Sequence, residues 1–328
     1  MSKQNFKKII FGAFVVSSYT PEQQKEFWDI LDAYGVDQLD TAHIYEGSEE
    51  TLGKLEAAKK FKIDTKTPGF YPNALSRESI LKAQKISFDR LKTDSVETYI
   101  LHSPDKETPI SETMDTIQEL YEDGKFKTFG ISNFTAQGVE ELYAYASSKG
   151  YVLPEVYQGN YSAMGRHLED DVLPVLRKHK ISLSIYSPLA GGFLIKSPEY
   201  FKGDGSALAG GRFDKTQEVG AVYNSLYNKP ELVEPLAEWG AIAEKAGVSK
   251  AELAFRWLGY HSALRESEGD SIVLGASRPS QLKGALDALK AGPLDEESVN
   301  RIQGFWESIK EHAPVDNYHG TKTRLGGL

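Results

Sequence analysis

Eight short apolar runs recur along this chain, and each is followed by a stretch of helical periodicity. That alternation restricts the fold more than any other feature. Strands this apolar must be buried on both faces, which is the signature of a parallel sheet covered by helices. The runs are 9–14, 36–40, 62–66, 95–101, 126–131, 155–158, 181–186 and 271–274. Eight βα units in a chain of 328 residues predict an α/β fold, a (β/α)8 TIM barrel formed as a single domain over residues 1–328. A long Gly-rich loop is expected after strand seven, from Ser187 to about residue 214, and a helix and tail at the C-terminus. A doubly wound sheet is the rival, but no G-x-G-x-x-G follows any run.

Helix boundaries carry their own signals. Thr20-Pro21-Glu22 reads as cap, first-turn proline and early acid, and Gly35 as the stop. Between them Phe27, Ile30, Leu31 and Tyr34 share one face. Ser48, ahead of Glu49 and Glu50, reads as a hydroxyl cap, and so does Ser76 before Leu81, Phe88 and Leu91. A helix from Ser111 is expected to turn Met114, Ile117, Leu120 and Tyr121 inward. Further helices are expected over 136–148, 168–179, 231–246, 249–260, 280–289 and 295–311. Lys7-Lys8 and the apolar run 9–16 imitate a secretory leader, but eight residues suit a buried first strand better.

Charge narrows the function. The formal net charge is −9, so nucleic acid and anionic membrane are repelled overall, while a local pocket for one small anion stays open. Cysteine is absent, which removes disulfides, thiolate metal sites and a cysteine nucleophile, and it fits a reducing, cytoplasmic location. No run reaches the length needed to cross a bilayer.

In a parallel barrel every strand C-terminus faces one mouth. Reading off those ends collects Asp40 with Tyr45 just beyond, Lys66, His102, Ser132-Asn133, Gln158, Tyr186 and the stretch from Gly275 to Arg278. A lysine beside a tyrosine, with an aspartate at hand, makes a tuned acid: the ammonium of Lys66 is expected to lower the Tyr45 phenol from about 10. Asp40 would hold Lys66 charged, and His102 could donate to the same carbonyl oxygen that Tyr45 protonates. No nucleophile is paired with a base, and no ligand cluster suits a metal. The set suits protonation of an alkoxide made by a hydride from elsewhere. Tyr186 could stack a flat ring, with Ser132, Asn133 and Gln158 facing a carboxamide. The loop of Ser187, Leu189 and Gly191 offers amides to a pyrophosphate, and Gly275, Ala276, Ser277 and Arg278 stand at a helix start suited to an anion.

These motifs resemble the aldo-keto reductases: Leu-Asp-Thr-Ala-x-x-Tyr around Asp40 and Tyr45, Thr-Lys at Lys66, Leu-His-Ser-Pro-Asp at His102, and Gly-Ile-Ser-Asn-Phe over 130–134. Pro154 to Tyr161, Pro188 to Gly192 and Gly211-Arg212-Phe213 are most similar to the aflatoxin-aldehyde (succinic semialdehyde) reductase branch. The resemblance implies NADPH-dependent reduction of aldehydes and ketones to alcohols, often by homodimers, with Asp40, Tyr45, Lys66 and His102 as the catalytic set. It implies cofactor contacts from Ser132, Asn133, Gln158, Tyr186, Ser187, Leu189, Gly191, Arg212, Gly275, Ala276, Ser277, Arg278 and Gln281; Arg212, from the long loop, is expected to close over the phosphates. Phe70, Tyr71 and Tyr318 are candidate walls for the carbonyl substrate. Two other functions fit parts of the pattern: an aldo-keto-reductase-like β subunit of a potassium channel, and a Schiff-base enzyme working through Lys66. Ala285 and Ser162 depart from the asparagines usual at those places.

Overall fold

The computed structural model describes residues 8–202 and 212–319. Eight parallel strands close into a barrel: β1 (Ile9–Gly12), β2 (Gln38–Asp40), β3 (Lys62–Lys66), β4 (Val96–Leu101), β5 (Phe126–Ser132), β6 (Val156–Asn160), β7 (Ser182–Tyr186) and β8 (Ser271–Gly275). β1 pairs with both β2 and β8, so no edge is left open. The (β/α)8 architecture read from the alternation is the one observed.

Around it run α1 (Pro21–Tyr34), α2 (Ser48–Lys54), α3 (Arg77–Leu91), α4 (Ile110–Glu122), α5 (Ala136–Lys149) and α6 (Val172–His179). They continue as α7 (Pro198–Phe201), α8 (Glu218–Tyr227), α9 (Pro230–Val233), α10 (Leu236–Lys245), α11 (Lys250–Tyr260), α12 (Pro279–Lys290) and α13 (Glu296–Ile309). Local chemistry sets many of the ends. Thr20 and Gln23 cap α1 reciprocally, and Gly35 closes it in the left-handed region at φ 70°. Ser76 accepts from Ser79 N as the cap of α3.

Strand alternation sorts the side chains into two environments. Phe11, Leu39, Ile63, Tyr99, Leu101, Phe129, Leu183 and Ile272 belong to the apolar core that also takes in buried residues of the helices. The opposite parity includes Ile10, Ile100 and Val273 but is mostly polar: Gln38, Asp40, Asp64, Lys66, Thr98, Gln158 and Ser184 are all buried there. So the apolar layer holds the helices on, and the polar column runs along the axis.

Several boundaries differ from expectation, for tertiary reasons. Ser48 does not cap α2: Gly47 does, in the left-handed conformation at φ 69°. The Ser48 hydroxyl is buried instead, donating to Ala13 O at 2.8 Å and lying 2.8 Å from Thr41 Oγ1, which pins the helix start to two strand ends. Tyr121 lies at 41% exposure and does not point inward. α6 is shortened by a separate 3-10 turn, His167–Glu169, and the helix expected over 231–246 divides into α9 and α10. The segment expected as one long loop after β7 contains a 3-10 stretch, Ala190–Ile195, with α7 and α8 beyond it. α8 was legible in principle: Val222, Tyr223, Leu226 and Tyr227 have helical spacing, and the last three are buried. Gly211 and the tail beyond His319 lie outside the described residues.

Candidate active site

The C-terminal mouth is built around one buried ion pair. Lys66 closes β3 and Asp40 closes β2, with the Lys66 side chain fully buried. Its Nζ donates to Asp40 Oδ1 at 2.8 Å, Asp40 Oδ2 at 2.7 Å and the Thr41 carbonyl at 2.7 Å. Those three acceptors match the three donors of an ammonium. Gln158 reaches across from β6 and donates from Nε2 to Asp40 Oδ2 at 2.8 Å, so the carboxylate is met from two sides. Burial alone would strip the charge from Lys66. The Asp40 carboxylate and the Tyr45 phenol outweigh it, and the ammonium is held above its usual range.

Tyr45 sits in the loop between β2 and α2. The Lys66 Nζ lies 5.2 Å from the centroid of its ring. With the ammonium's donors spent on Asp40 and Thr41, Lys66 acts on this phenol through its field. The fall in the Tyr45 pKa expected from the sequence does not occur. Burial pushes the Tyr45 phenol up; Lys66 pulls it back, Asp40 adds to the rise, and the net position is above the ordinary value. Tyr45 is therefore a protonated phenol at neutral pH with a cation beside it.

His102 follows β4 and meets Tyr45 edge-on, ring centroids 5.8 Å apart. Burial, then the Lys66 charge, hold its imidazole well below the usual histidine range, so the ring is neutral. Its Nδ1 is buried without a hydrogen-bond partner among the described residues. The backbone of His102 is fixed instead: its N–H donates to Thr67 Oγ1 at 3.2 Å, and its carbonyl accepts from Asn133 Nδ2 at 2.9 Å.

Aromatic side chains wall the mouth. Phe14 meets Tyr45 edge-on at 4.8 Å, Phe70 meets His102 at 5.0 Å, and Tyr318 tilts against Phe70 at 5.9 Å. Phe70 holds a left-handed backbone at φ 71°, with its N–H on Ser103 Oγ at 2.9 Å. A bulky residue in that region is strained, and its hydrogen bond shows what maintains it. Tyr71 is half exposed, and among the described residues no ring contact or hydrogen bond joins it to this wall.

The residues expected around a dinucleotide all lie at this mouth or in the loops that leave it. Ser132, Tyr186 and Gly275 end their strands, while Gln158 lies in the middle of β6, which runs two residues further than expected. Asn133, with φ 62°, uses its amide internally: Nδ2 donates to His102 O and to Ser132 Oγ, and Oδ1 accepts from the Tyr186 hydroxyl at 2.7 Å. It orients the histidine and the tyrosine as much as it faces outward. Gly12 and Gly275 are register partners, so the β1–β8 sector has no side chain at its rim. Ser187, Ala190, Gly191 and Gly192 all have positive φ, which folds the Leu189 loop back on itself. A Cβ at Gly191 would lie 2.0 Å from the Tyr223 ring, so only glycine lets α8 seat there. Arg212 stacks over Phe14 and Tyr223 at 5.1 and 5.2 Å and donates to the Tyr223 hydroxyl at 3.2 Å. At the start of α12, Gln281 Oε1 accepts from Ser277 N at 3.0 Å, Ser277 Oγ at 3.0 Å and Arg278 N at 3.2 Å. Those donors already cradle an oxygen, and Arg278 is exposed beside them. The Tyr19 hydroxyl fixes this loop by donating to the Ala276 carbonyl.

Phe14, Thr41 and Tyr223 join the site without having been singled out by sequence. Phe14 ends an apolar run, as the other site residues do, but a phenylalanine there gives no chemical signal.

A barrel with a buried lysine–aspartate pair, a phenol and a neutral imidazole at its mouth defines a class, and comparison with known proteins gives that class a name. The aldo/keto reductase family matches residues 8–307, and the chain belongs to it. It is similar to the oxidoreductase sirO of Leptosphaeria maculans, 41% identical over 316 residues, covering 96% of this chain and 93% of that protein. It is also similar to aflatoxin B1 aldehyde reductase member 2 of Rattus norvegicus, 34% identical over 295 residues, covering 85% of this chain and 79% of that one. Aldo-keto reductase family 7 member A3 of Homo sapiens is 33% identical over 295 residues, covering 85% and 87%. The branch resemblance drawn from the motifs thus agrees with named relatives. Among the described residues no helix is long and apolar enough to cross a membrane.

Proposed function

We propose that this aldo-keto reductase uses NADPH to reduce aldehydes and ketones to alcohols, with Tyr45 as the general acid. The observation that carries the reading is the Lys66 ammonium, fully buried, held by Asp40 and Thr41 and set beside the Tyr45 ring. A reduced nicotinamide bound at the mouth supplies the hydride. As negative charge gathers on the carbonyl oxygen, Tyr45 gives it a proton and Lys66 stabilises the phenolate left behind. The neutral His102 ring orients the same oxygen by hydrogen bonding. Asp40 and Gln158 keep Lys66 charged and aimed.

The donor set at α12 supports the dinucleotide. A phosphate oxygen would replace the Gln281 carbonyl oxygen on Ser277 and Arg278, and the Arg278 guanidinium would distinguish a 2′-phosphate from a hydroxyl. The side-chain-free rim at Gly12 and Gly275 leaves room for the flat part. The Phe14, Phe70 and Tyr318 rings favour an apolar or aromatic carbonyl.

The Schiff-base alternative needs a neutral, free amine. Lys66 is charged with its donors engaged, so borohydride should not trap substrate on it. The direct test mixes the purified protein with NADPH and 4-nitrobenzaldehyde and follows loss of nicotinamide absorbance. Turnover that disappears in a folded Tyr45→Phe variant supports the reading; no turnover by the native chain, or full turnover in that variant, overturns it.

A further inference from the structure

Beneath the Lys66–Asp40 pair lies a second buried carboxyl for which the reduction described above has no use. Asp64 stands on β3 two residues before Lys66, so strand alternation turns both side chains into the barrel. Its register partners are Asp40 on β2 and Thr98 on β4. It is 3% exposed. One amide nitrogen, Gln38 Nε2, serves both of its oxygens, at 2.8 and 2.7 Å. Even with the Thr98 hydroxyl beside it, that is sparse satisfaction for a buried ionised carboxylate.

Two neighbours of Asp64 reach the end of the barrel away from the mouth. Gln38 and Thr98 line a cavity of about 410 Å3 at the strand N-termini, together with Lys62, Glu97 and Thr128. The charges that act on Asp64 are those of Asp40 from β2 and of Lys66 and Lys62 from its own strand, while β4 presents the Thr98 hydroxyl.

We propose that Asp64 is a positioning residue for the reaction, a second carboxyl that acts through Lys66 and Asp40 to set the electrical potential at the Tyr45 phenol and that exchanges its proton through the floor of the barrel. The inference rests on the reductase reading and adds to it a group outside the set of Asp40, Tyr45, Lys66 and His102. Burial pushes the Asp64 carboxyl up to about 7; the Asp40 charge adds to this, while Thr98, Gln38 and Lys66 oppose it. The group therefore changes charge near neutrality. When protonated, it leaves Lys66 with one compensating carboxylate, and the Tyr45 phenolate is easier to form. When ionised, it adds negative charge below the phenol and makes the phenolate harder to form. Because Gln38 and Thr98 open to the floor, this charge follows solvent pH even while cofactor and substrate fill the mouth.

The test uses Asp64→Asn, which keeps the shape and an oxygen for Gln38. The native pH profile of kcat should show an inflection near 7 that the variant lacks. The alkaline limb, set by Tyr45, should move to lower pH in the variant with KM little changed. Superimposable profiles would overturn the proposal. Two readouts need no turnover. The phenolate titration of Tyr45, taken as the absorbance difference between native protein and Tyr45→Phe, should move to lower pH when Asp64→Asn is added. An unmoved titration sinks the proposal whether or not the protein is a reductase. Stability gives the second readout. Between the unfolded and folded values of Asp64 the native state binds more protons than the unfolded one, so this group costs the native chain stability as pH rises. The gain in Tm of the variant over the native chain should therefore widen as pH rises from about 4 to about 7 and level off above that, and a gap independent of pH counts against the proposal. If Asp64→Asn does not fold, Gln38→Met keeps the carboxyl and removes its amide donor. The inflection should then shift to higher pH, and an unshifted one overturns the idea.

Discussion

The two sides of the barrel mouth are built by different means. On the β2–β3 side, Asp40 and Lys66 are strand residues, and their hydrogen bonds link them to Thr41 and to Gln158 on β6. Closure of the sheet fixes their positions, because each strand's register is tied to both neighbours. On the β7–β8 side the groups lie on loops: Leu189 and Gly191 in a folded-back turn, Arg212 stacked between rings, and Arg278 exposed at a helix start. The rigid side suits a reaction in which small displacements are costly. The looped side suits ligands that must enter and leave. If this division is right, substitutions on the first side should reduce the chemistry, and those on the second should reduce affinity.

The largest effect should come from Tyr45→Phe. The ring keeps its packing on Phe14 and His102, and only the acid is lost, so kcat should fall by about 10²–10⁴-fold with the NADPH Kd unchanged, as read by fluorescence quenching. Next comes Lys66→Met, which leaves a buried aspartate without its cation. Urea unfolding at neutral pH should show a loss of about 3–5 kcal/mol, accompanied by loss of turnover. On the looped side, Arg278→Ala should weaken NADPH by roughly 10–100-fold through loss of charge-assisted bonds, with NADH nearly unaffected. Equal losses for both nucleotides would mean that Arg278 does not read the extra phosphate. The smallest effect is expected from Arg212→Ala, a few-fold in NADPH affinity with a shallower salt dependence. A fall in kcat of the size seen for Tyr45→Phe would break the division, since Arg212 would then belong with the chemistry.

Much of this was open to reading in the chain alone, and the exceptions share a cause. Asp40, Lys66 and Gln158 stand at the ends of apolar runs, and parallel strands deliver such ends to one place. Ser48 looked like a cap because a hydroxyl before two acids has that local signature. Its hydroxyl went to Ala13 and Thr41, which only the folded chain brings near. The sign of Lys66's effect on Tyr45 was read correctly, yet burial outweighed it. Asn133 looked like a free amide and is engaged with His102 and Tyr186. Asp64 passed as one more charged residue in a short strand, since a five-residue run does not reveal which parity faces the axis.

The order of eight strands and eight covering segments, and the types of residue at the strand ends, follow from local composition and periodicity, which act over a few residues at a time. Which of those residues touch, and which carry charge, came from closure of the sheet. It laid Gln158 on Asp40 across 118 positions of chain and removed both from water. Desolvation and Coulomb energy depend on distance in space and on burial, so protonation at the mouth was decided in three dimensions.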